Sequence, residues 1–421
     1  MQGKPSESCL KRKMELDRIS NLPSDAIDRI LSCLPIKEAV KTSVLSSKWR
    51  YKTALLTHLV FDNQCFSTQK HITFQNIVDQ VLLLHIGPIH SLRFFLVPPL
   101  AAAALDRWIL HLSRNSIKEL ILEFREIDVC YNLPSCLFSC QDLVCLEIRN
   151  CLLKPPPTFK GFRSLKSLSI GMVTMAQDVF DNLIVSCPLL ERLIVSLCDG
   201  FTHLNVDAPN LQYFAFGGSF ETVNLENTLN LVEVDIDFCD EDLRWVSHSS
   251  SHLVKFLDRL PCIQRLTIQS SFLEYLAVGA LPQKLPQPCL YLRFLSITID
   301  FRHLNEVLTV QCLLRSSPAL QVLEVRAYGY GMAAVQEVKS WFDDNQNFQF
   351  SQLKRVKITG VSDSKTQLDF IRSLLLTSPV LERMTESVFC QWLFQTCERV
   401  APVQACLRSR RDNILGTMIH Q

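Results

Sequence analysis

One spaced pattern of apolar residues recurs along most of this chain and limits how the chain can fold. The pattern is φ-x-x-φ-x-φ, where φ is apolar, and its last two apolar positions lie on one face of a short strand. Its complete copies are Ile117-Leu120-Leu122, Leu143-Leu146-Ile148, Leu165-Leu168-Ile170, Leu190-Leu193-Val195, Leu211-Phe214-Phe216, Leu231-Val234-Ile236, Ile263-Leu266-Ile268, Leu292-Leu295-Ile297, Leu320-Leu323-Val325 and Leu353-Val356-Ile358. A partial copy follows at Leu381-Met384. In a chain of 421 residues, such a series predicts stacked repeats rather than one closed core.

The spacing of the copies identifies the kind of repeat. Their starts run from 117 to 381 in ten steps, a mean of about 26 residues, which lies in the range of leucine-rich repeats. Apolar stripes of helical period precede several copies, at 179–184, 253–260 and 307–314. We therefore predict an α/β fold in which a leucine-rich-repeat solenoid of short parallel strands carries convex helices. The intervals 190–211 and 211–231 are too short for a helix and predict extended or 3₁₀ segments.

The cysteines fit this repeat better than they fit a metal site. Cys151, Cys198 and Cys239 each follow the third apolar position by three residues, where the repeat places Asn or Cys in a buried turn. A local cluster contains Cys130, Cys136, Cys140, Cys145 and Cys151, but it has no C-x-x-C pair and no histidine at zinc spacing. We therefore predict no metal. Seventeen cysteines without a secretory signal predict a reduced, intracellular protein in the nucleus, the cytoplasm or both.

Charge and hydropathy exclude further classes of function. The 43 basic and 42 acidic residues give a net charge of +1, which provides no overall field for nucleic acid or an anionic membrane. The longest apolar run, 94–105, is interrupted by Pro98-Pro99 and is shorter than the roughly 20 residues of a membrane span. Nucleophile-elbow, zinc-protease and phosphate-loop motifs are absent. We expect no nucleic acid or membrane partner, no cofactor and no catalytic residue, hence no enzyme.

The segment ahead of the repeats is helical. Ile27, Ile30, Leu31 and Leu34 form one stripe of a helix that Asn21 or Ser24 can cap and that Pro35 ends. A second helix is expected through 39–45, and a third, capped by Ser46-Ser47, carries Trp49, Tyr51, Leu55 and Leu56. Three helices in some 35 residues form too small a core to be stable alone, since chains under about 40 residues usually need a partner.

These residues resemble the plant F-box motif. The match lies in Leu22-Pro23, Ile30-Leu31, Leu34-Pro35, Ser43-Val44-Leu45-Ser46 and Lys48-Trp49-Arg50. The resemblance implies that the unit docks the Skp adaptor of an SCF-type cullin–RING ubiquitin ligase. It also implies the following adaptor-binding or supporting residues: Leu22, Pro23, Ile27, Ile30, Leu31, Leu34, Pro35, Val44, Leu45 and Trp49. The alternative is a three-helix cap that only shields the first repeat.

A second resemblance lies near the C-terminus. Residues 350–360 and 374–382 are similar to the FBD domain that follows F-box and leucine-rich segments in plant proteins. The predicted organisation is a flexible polar N-terminus at 1–16, the F-box at 17–60, a linker and N-terminal cap of the solenoid at 61–116, leucine-rich repeats at 117–340, a truncated FBD domain at 341–385 and a poorly packed tail at 386–421.

The resemblance to this family implies the following division of roles. The RING subunit and its conjugating enzyme supply the chemistry, while this chain holds a target protein through the variable strand positions. The predicted target-binding residues are Lys118, Glu147, Arg149, Lys166, Arg192, Glu233, Asp235 and Arg265. Their mixed charge predicts a protein or peptide target, and we find no basic cluster for a phosphorylated cofactor. The open alternatives are a ligand sensor and an interaction scaffold that does not assemble a ligase.

Overall fold

The computed structural model describes residue 19 and residues 22–62, 74–96, 102–124, 131–218, 220–237, 252–279, 281–327, 349–361 and 365–388. Short parallel strands form a large sheet, and helices or short extended segments connect them. The chain divides into two compact units, one of residues 1–190 and 198–201, the other of residues 191–197 and 202–421. Among the helices in these ranges, none is long and apolar enough to cross a membrane.

Among the described residues, the first unit contains three N-terminal helices and five strands of the main sheet. Its helices are α1 (Ser24–Ser32), α2 (Ile36–Thr42), α3 (Ser47–Ala54), α4 (Phe74–Leu84), α5 (Ala102–Ser113) and α6 (Gln177–Val185). Its strands are β1 (His58–Phe61), β2 (Ser91–Leu96), β3 (Glu119–Phe124), β4 (Tyr131–Asn132), β5 (Cys145–Arg149), β6 (Cys151–Leu152) and β7 (Ser167–Gly171). The sheet order is β1-β2-β3-β5-β7 with parallel neighbours, while β4 and β6 pair separately.

The second unit continues the same strand–connection cycle. Its strands are β8 (Arg192–Ser196), β9 (His203–Asp207), β10 (Tyr213–Gly217), β11 (Thr222–Glu226), β12 (Glu233–Asp237), β13 (Arg265–Ile268), β14 (Phe294–Ile299), β15 (Val322–Ala327), β16 (Arg355–Val361) and β17 (Arg383–Val388). Its helices are α7 (His252–Leu257), α8 (Ser270–Leu276), α9 (Leu304–Arg315) and α10 (Lys365–Thr377). The parallel order is β8-β10-β12-β13-β14-β15-β16-β17, and β9 pairs with β11.

The apolar trios form the core, as the repeat pattern predicts. In all ten complete trios, each side chain is at most 2 % exposed. The strands pair in register, so Leu120, Leu146 and Leu168 occupy the same position on successive strands and pack side by side. The predicted helical stripes lie in α6, α7 and α9. The two short intervals contain the extended strands β9 and β11, which confirms that prediction.

The sheet begins earlier than the sequence reading placed it. β1 lies at the end of the predicted F-box (17–60), β2 lies in the predicted linker and cap (61–116), and both precede β3 in one parallel ladder. Their trios, Leu56-Leu59-Phe61 and Ile89-Leu92-Phe94, repeat the same spacing and were detectable. The rings of Phe61 and Phe94 stack at 5.3 Å, and those of Phe94 and Trp108 at 5.2 Å. Aromatic packing therefore replaces leucine packing in the first two repeats.

A left-handed residue recurs two positions after the third apolar residue of a trio. The positions and φ values are Asn150 (56°), Met172 (50°), Leu197 (51°), Gly218 (124°) and Gly360 (75°). The first four directly follow their strands, whereas Gly360 lies within β16, where the register shifts between Thr359 and Val361. Asn150 also donates from Nδ2 to the Phe124 carbonyl at 2.6 Å. At Gly360 a Cβ would lie 2.4 Å from the Ala327 carbonyl oxygen. Glycine is therefore required there by both conformation and space.

The C-terminal segment holds β16, α10 and β17, and β17 continues to Val388, three residues past the predicted end of the FBD segment. Cys151 and Cys198 are buried, as their repeat position predicts. The predictions for the polar N-terminus, for Cys130 and Cys239 and for residues 389–421 lie outside the described residues.

Candidate functional site

The three N-terminal helices enclose a small apolar core. Ile27, Leu31, Ala39 and Trp49 are buried together, with Leu22, Leu34 and Leu56 packed against them. The stripe on α1 supplies Ile27 and Leu31, while Trp49 projects from α3. A buried indole N–H needs an acceptor, and Trp49 Nε1 donates to the Ile19 carbonyl at 3.1 Å. The tryptophan therefore anchors the chain entering α1.

Polar contacts at helix ends hold this core in one arrangement. Ser46 caps α3 by accepting the Trp49 backbone N–H at 3.4 Å, which confirms the predicted cap. The N-cap position of α1 is Pro23, which provides no side-chain cap, so the predicted cap Ser24 is wrong because Ser24 is the first residue of the helix. The alternative cap, Asn21, lies outside the described residues. Lys52 forms an ion pair with Asp28 at 2.6 Å and connects α3 to α1.

The helices dock directly onto the first repeat. The Ile86 N–H donates to the Ala54 carbonyl at 3.0 Å, and the His90 N–H donates to the Thr57 carbonyl at 2.8 Å. The His85 ring nitrogen Nε2 lies 2.8 Å from the carbonyl oxygen of Leu56, which packs on the helical core. The repeats thus provide the support that three short helices need.

The ten predicted adaptor residues divide into three groups by exposure. Ile27, Leu31 and Trp49 are at most 2 % exposed, so they support the unit and cannot themselves touch a partner. Leu22, Leu34 and Pro35 are half-buried. The exposed residues are Pro23, Ile30, Val44 and Leu45. Of the residues predicted to bind or support, the first three are therefore supporting residues, because they are buried in the core of the helical unit.

The exposed apolar side chains of this unit form a distinct class. Val44 is 79 % exposed, because α2 ends at Thr42 and leaves Val44 and Leu45 in the turn before α3. Val40 and Tyr51, which the sequence reading did not single out as contacts, are also exposed. We call the residues Pro23, Ile30, Val40, Val44, Leu45 and Tyr51 the apolar helix surface. All six belong to one small helical unit, and exposed apolar residues are typical of protein-binding surfaces where they form a contiguous patch.

The second candidate surface is the outward face of the strands. Arg192, Glu233 and Arg265 are in one register row, together with Tyr213. Asp235 lies in the next outward row of the second unit, and Glu147 and Arg149 lie outward on β5. Lys118 and Lys166 are exposed. Each immediately precedes its strand, so both residues border this face.

Many charges on this face are neutralised within the chain. Arg93 pairs with Glu119 at 2.6 Å, and Arg149 pairs with Glu147 at 3.4 Å. In the second unit, the Arg192 guanidinium lies 3.6 Å from the centroid of the Tyr213 ring, a cation–π contact. Arg265 pairs with Glu233 at 3.3 Å and covers Phe294. The predicted target residues thus include several whose charge is already satisfied.

A groove on β13–β17 has a different character. It has a volume of about 490 Å³ and is lined by Arg265, Arg293, Arg355, Lys357 and Arg383, with Glu324 as the single carboxylate. We call it the cationic groove. The expectation that the chain has no basic cluster is therefore wrong. Arg355, Lys357 and Arg383 occupy the variable strand positions of the last copies, so the repeat register could have revealed them.

A titratable cluster follows β14 at the start of α9. Glu306 is 2 % exposed, accepts the Asp300 backbone N–H at 3.0 Å and lies 2.8 Å from His303 Nδ1. Burial raises the pKa of Glu306 to about 7. The bond to Glu306 raises the pKa of His303, while Arg302 holds the pKa of Asp300 below its usual value despite burial. Each member bonds to another member of the cluster at the start of α9, which indicates a structural role.

The cysteines of the described residues are free thiols. Burial raises the pKa of Cys140 to about 12 and that of Cys289 to about 11, so both are protonated and unreactive at neutral pH. Within the described ranges, no group of three or more His, Cys, Asp or Glu residues is arranged to hold a metal ion.

Comparison with known proteins gives matches over both surfaces. A family model described as F-box domain matches residues 19–54, and one described as FBD-associated F-box protein At5g56370, LRR repeats, matches residues 105–325. Similar proteins come from Arabidopsis thaliana. F-box/FBD/LRR-repeat protein At1g13570 is 40 % identical over 383 residues, covering 88 % of this chain and 91 % of that protein. Putative FBD-associated F-box protein At5g50270 is 25 % identical over 405 residues, covering 88 % and 97 %.

Proposed function

This chain belongs to the F-box/FBD/LRR-repeat family, and we propose that it is the substrate-recognition subunit of an SCF-type cullin–RING ubiquitin ligase. In this proposal the F-box binds a Skp adaptor and, through it, the cullin and RING subunits. The leucine-rich repeats bind a target protein. F-box and leucine-rich-repeat domains together fit a substrate-adaptor role.

The apolar helix surface is the observation that supports adaptor binding most directly. The three helices bury Ile27, Leu31 and Trp49 in their own core and leave Val44 and Leu45 exposed in a turn. Burial of an exposed apolar side chain in an interface stabilises the complex, by about 1.5–3 kcal/mol for full burial of a Val or Leu. A standard interface buries about 1,600 Å² in total, which several such side chains can anchor.

The role of this chain is positional. F-box/LRR proteins are typically non-catalytic adaptors, and the matched families include no enzyme family. Holding a target next to the charged conjugating enzyme raises the effective concentration of the target's lysines at the thioester. We place this activity inside the cell, in the nucleus, the cytoplasm or both, consistent with the buried free thiols.

The test is co-purification of the full-length chain with a plant Skp adaptor after co-expression. We expect the wild-type chain to retain the adaptor, and the double variant Val44→Asp, Leu45→Asp to lose it. Val185→Asp is the matched control, since Val185 is 63 % exposed at the end of α6 and lies outside the helical unit. Unchanged thermal melting of all variants shows that the repeats remain folded.

The outcomes separate ligase assembly from the two alternatives. Loss of the adaptor only in the Val44, Leu45 variant supports the proposal. A folded wild-type chain that retains no adaptor contradicts it and leaves an interaction scaffold or a ligand sensor. Retention by the double variant contradicts the assignment of Val44 and Leu45 as contacts.

A further inference from the structure

The cationic groove of the second unit is built by register. Arg355 and Arg383 are direct partners on the adjacent parallel strands β16 and β17, which are about 4.8 Å apart. Lys357 occupies the next outward position of β16, and Arg293 precedes β14. Four of the five basic side chains, Arg293, Arg355, Lys357 and Arg383, form no ion pair within the described residues. Like charges on neighbouring strands repel, and the one carboxylate among the lining residues, Glu324, lies across from Lys357 and leaves a surplus of four positive charges.

The charge of the groove differs from that of the rest of the outward face. Arg93 and Arg149 have carboxylate partners, and Arg192 covers Tyr213. The fifth groove cation, Arg265, contacts Glu233 and Phe294, and these contacts fix the position of its guanidinium group. The groove therefore combines one fixed cation with four unneutralised ones. Such a site favours a ligand with concentrated negative charge.

The kinds of side chain restrict the ligand further. Three of the unneutralised groups are guanidinium forks, which bind phosphate or carboxylate oxygens in pairs. A phosphate monoester carries a charge of about −1.5 to −2 and three acceptor oxygens, more than one carboxylate offers. Phe294 and Val322 add apolar surface beside the cations, and Glu324 provides an acceptor for an N–H or O–H group. The groove thus suits a phosphorylated group attached to a polypeptide.

We propose that the cationic groove of β13–β17 binds a phosphorylated serine or threonine in an exposed segment of the target protein. This proposal rests on the proposed function, because it names the chemistry by which the repeats select a target. A volume of about 490 Å³ accommodates a short segment rather than a folded domain. Nucleic acid is disfavoured, because Glu324 lies in the groove and Glu233 borders it, whereas polyanion sites follow the backbone with a continuous basic stripe.

The experiment measures peptide binding to the purified full-length chain without adaptor. The probes are two fluorescent peptide libraries with random flanks, one with a fixed central phosphoserine and one with serine. We expect the phosphoserine library to bind at least about 10-fold more tightly, since several charge-assisted bonds depend on the phosphate. Equal binding of the two libraries overturns the proposal.

Variants locate the binding. Arg355→Glu with Arg383→Glu is expected to weaken phosphopeptide binding about 100-fold, and Arg355→Lys with Arg383→Lys about 10-fold, because lysine keeps the charge but loses the fork. Arg259→Glu makes one such charge reversal, half the charge change of the double variant, on an exposed residue that does not line the groove, and its phosphopeptide affinity should stay within about 2-fold of the wild-type value. Equal loss in Arg259→Glu contradicts a groove-specific site. All three proteins are compared by thermal melting.

Two competitors distinguish other ligands. Inorganic pyrophosphate or a twelve-residue oligothymidylate that displaces the phosphopeptide at equal concentration overturns the proposal, in favour of a small anion or of nucleic acid. Failure of adaptor capture leaves these binding results unaffected, because no adaptor is present. Failure of phosphopeptide binding with intact adaptor capture refutes only this inference.

Discussion

The apolar helix surface and the cationic groove are two exposed surfaces of opposite chemistry. The first consists of side chains such as Val44 and Leu45 that the small helical core did not bury. The second consists mainly of arginines that the strand register places side by side, with Glu324 as the one carboxylate among the lining residues. Burial of apolar area stabilises a complex at any ionic strength, whereas ion pairs at an exposed groove are screened by salt. The affinities for the proposed adaptor and the proposed phosphorylated target are therefore expected to respond differently to salt.

The outward face of the sheet shows the same contrast in charge. On β2 and β3, Arg93 lies diagonally across from Glu119, and the two neutralise each other at 2.6 Å. On β16 and β17, Arg355 and Arg383 are direct register partners and carry like charge. The backbone is alike in both places, so the side chains alone decide which part of the face is free to bind a charged ligand.

The largest effect is expected from substitutions in the apolar helix surface. Val44→Asp with Leu45→Asp should weaken adaptor binding by at least about 100-fold, because carboxylates would be buried without partners in the interface. Phosphopeptide binding by the same protein should stay within about 2-fold of the wild-type value, since none of the residues that line the cationic groove belongs to the helical unit. Both affinities are measured by fluorescence anisotropy. Parallel loss of both activities would show that the two surfaces are not independent.

A change of salt sharpens the comparison without mutation. Raising NaCl from about 50 to about 500 mM shortens the Debye length from roughly 14 to roughly 4 Å and should weaken phosphopeptide binding on the order of 10-fold. Adaptor binding should change by less than about 2-fold, because apolar contacts dominate it. Titrations at both salt concentrations test this. A groove affinity that does not respond to salt would contradict a charge-based site.

The Glu306 cluster provides a comparison with a region that belongs to neither surface. The pKa of Glu306 is raised to about 7, and the pKa of His303 is raised as well. Each group therefore contributes to the free energy of unfolding at low pH, and this contribution is lost as pH rises through the group's folded-state pKa. Between pH 6 and 8 we expect the wild-type chain to lose about 1 kcal/mol of unfolding free energy. Glu306→Gln should reduce this loss, as followed by denaturation at each pH. Neither binding activity should change between the two proteins at a given pH.

The smallest effects compare paired with unpaired arginines. Arg93→Ala removes an exposed ion pair and should lower the unfolding free energy by about 0.2–1 kcal/mol. Arg355→Ala removes repulsion with Arg383 and should leave stability unchanged or raise it by a few tenths of a kcal/mol. Denaturant titration resolves the difference in sign. A clear destabilisation by Arg355→Ala would indicate that Arg355 has a structural partner.

Much of the architecture was predictable because the repeat is a local pattern. The φ-x-x-φ-x-φ spacing predicted every buried trio from Ile117 onward, and the interval lengths distinguished helical connections such as α9 from extended ones such as β9. The first two strands were missed although Leu59 and Phe61 follow the same spacing. Their aromatic residues and the helices nearby concealed a pattern that otherwise consists of leucine and isoleucine.

The binding surfaces were less predictable, because exposure depends on packing between segments. The F-box motif identified ten residues, but only the folded core separates Trp49, which supports the unit, from Val44, which is 79 % exposed. Similarly, Arg293, Arg355 and Arg383 are up to 90 residues apart in the chain, and parallel pairing brings their strands together.

The sequence by itself determined the repeat, the helical unit and their order, since these depend on apolar periodicity within short windows. The tertiary structure decided which apolar residues of that unit remain exposed and which arginines remain without an acid. Both depend on neighbours far away in the chain, supplied by helix packing in the first case and by strand register in the second.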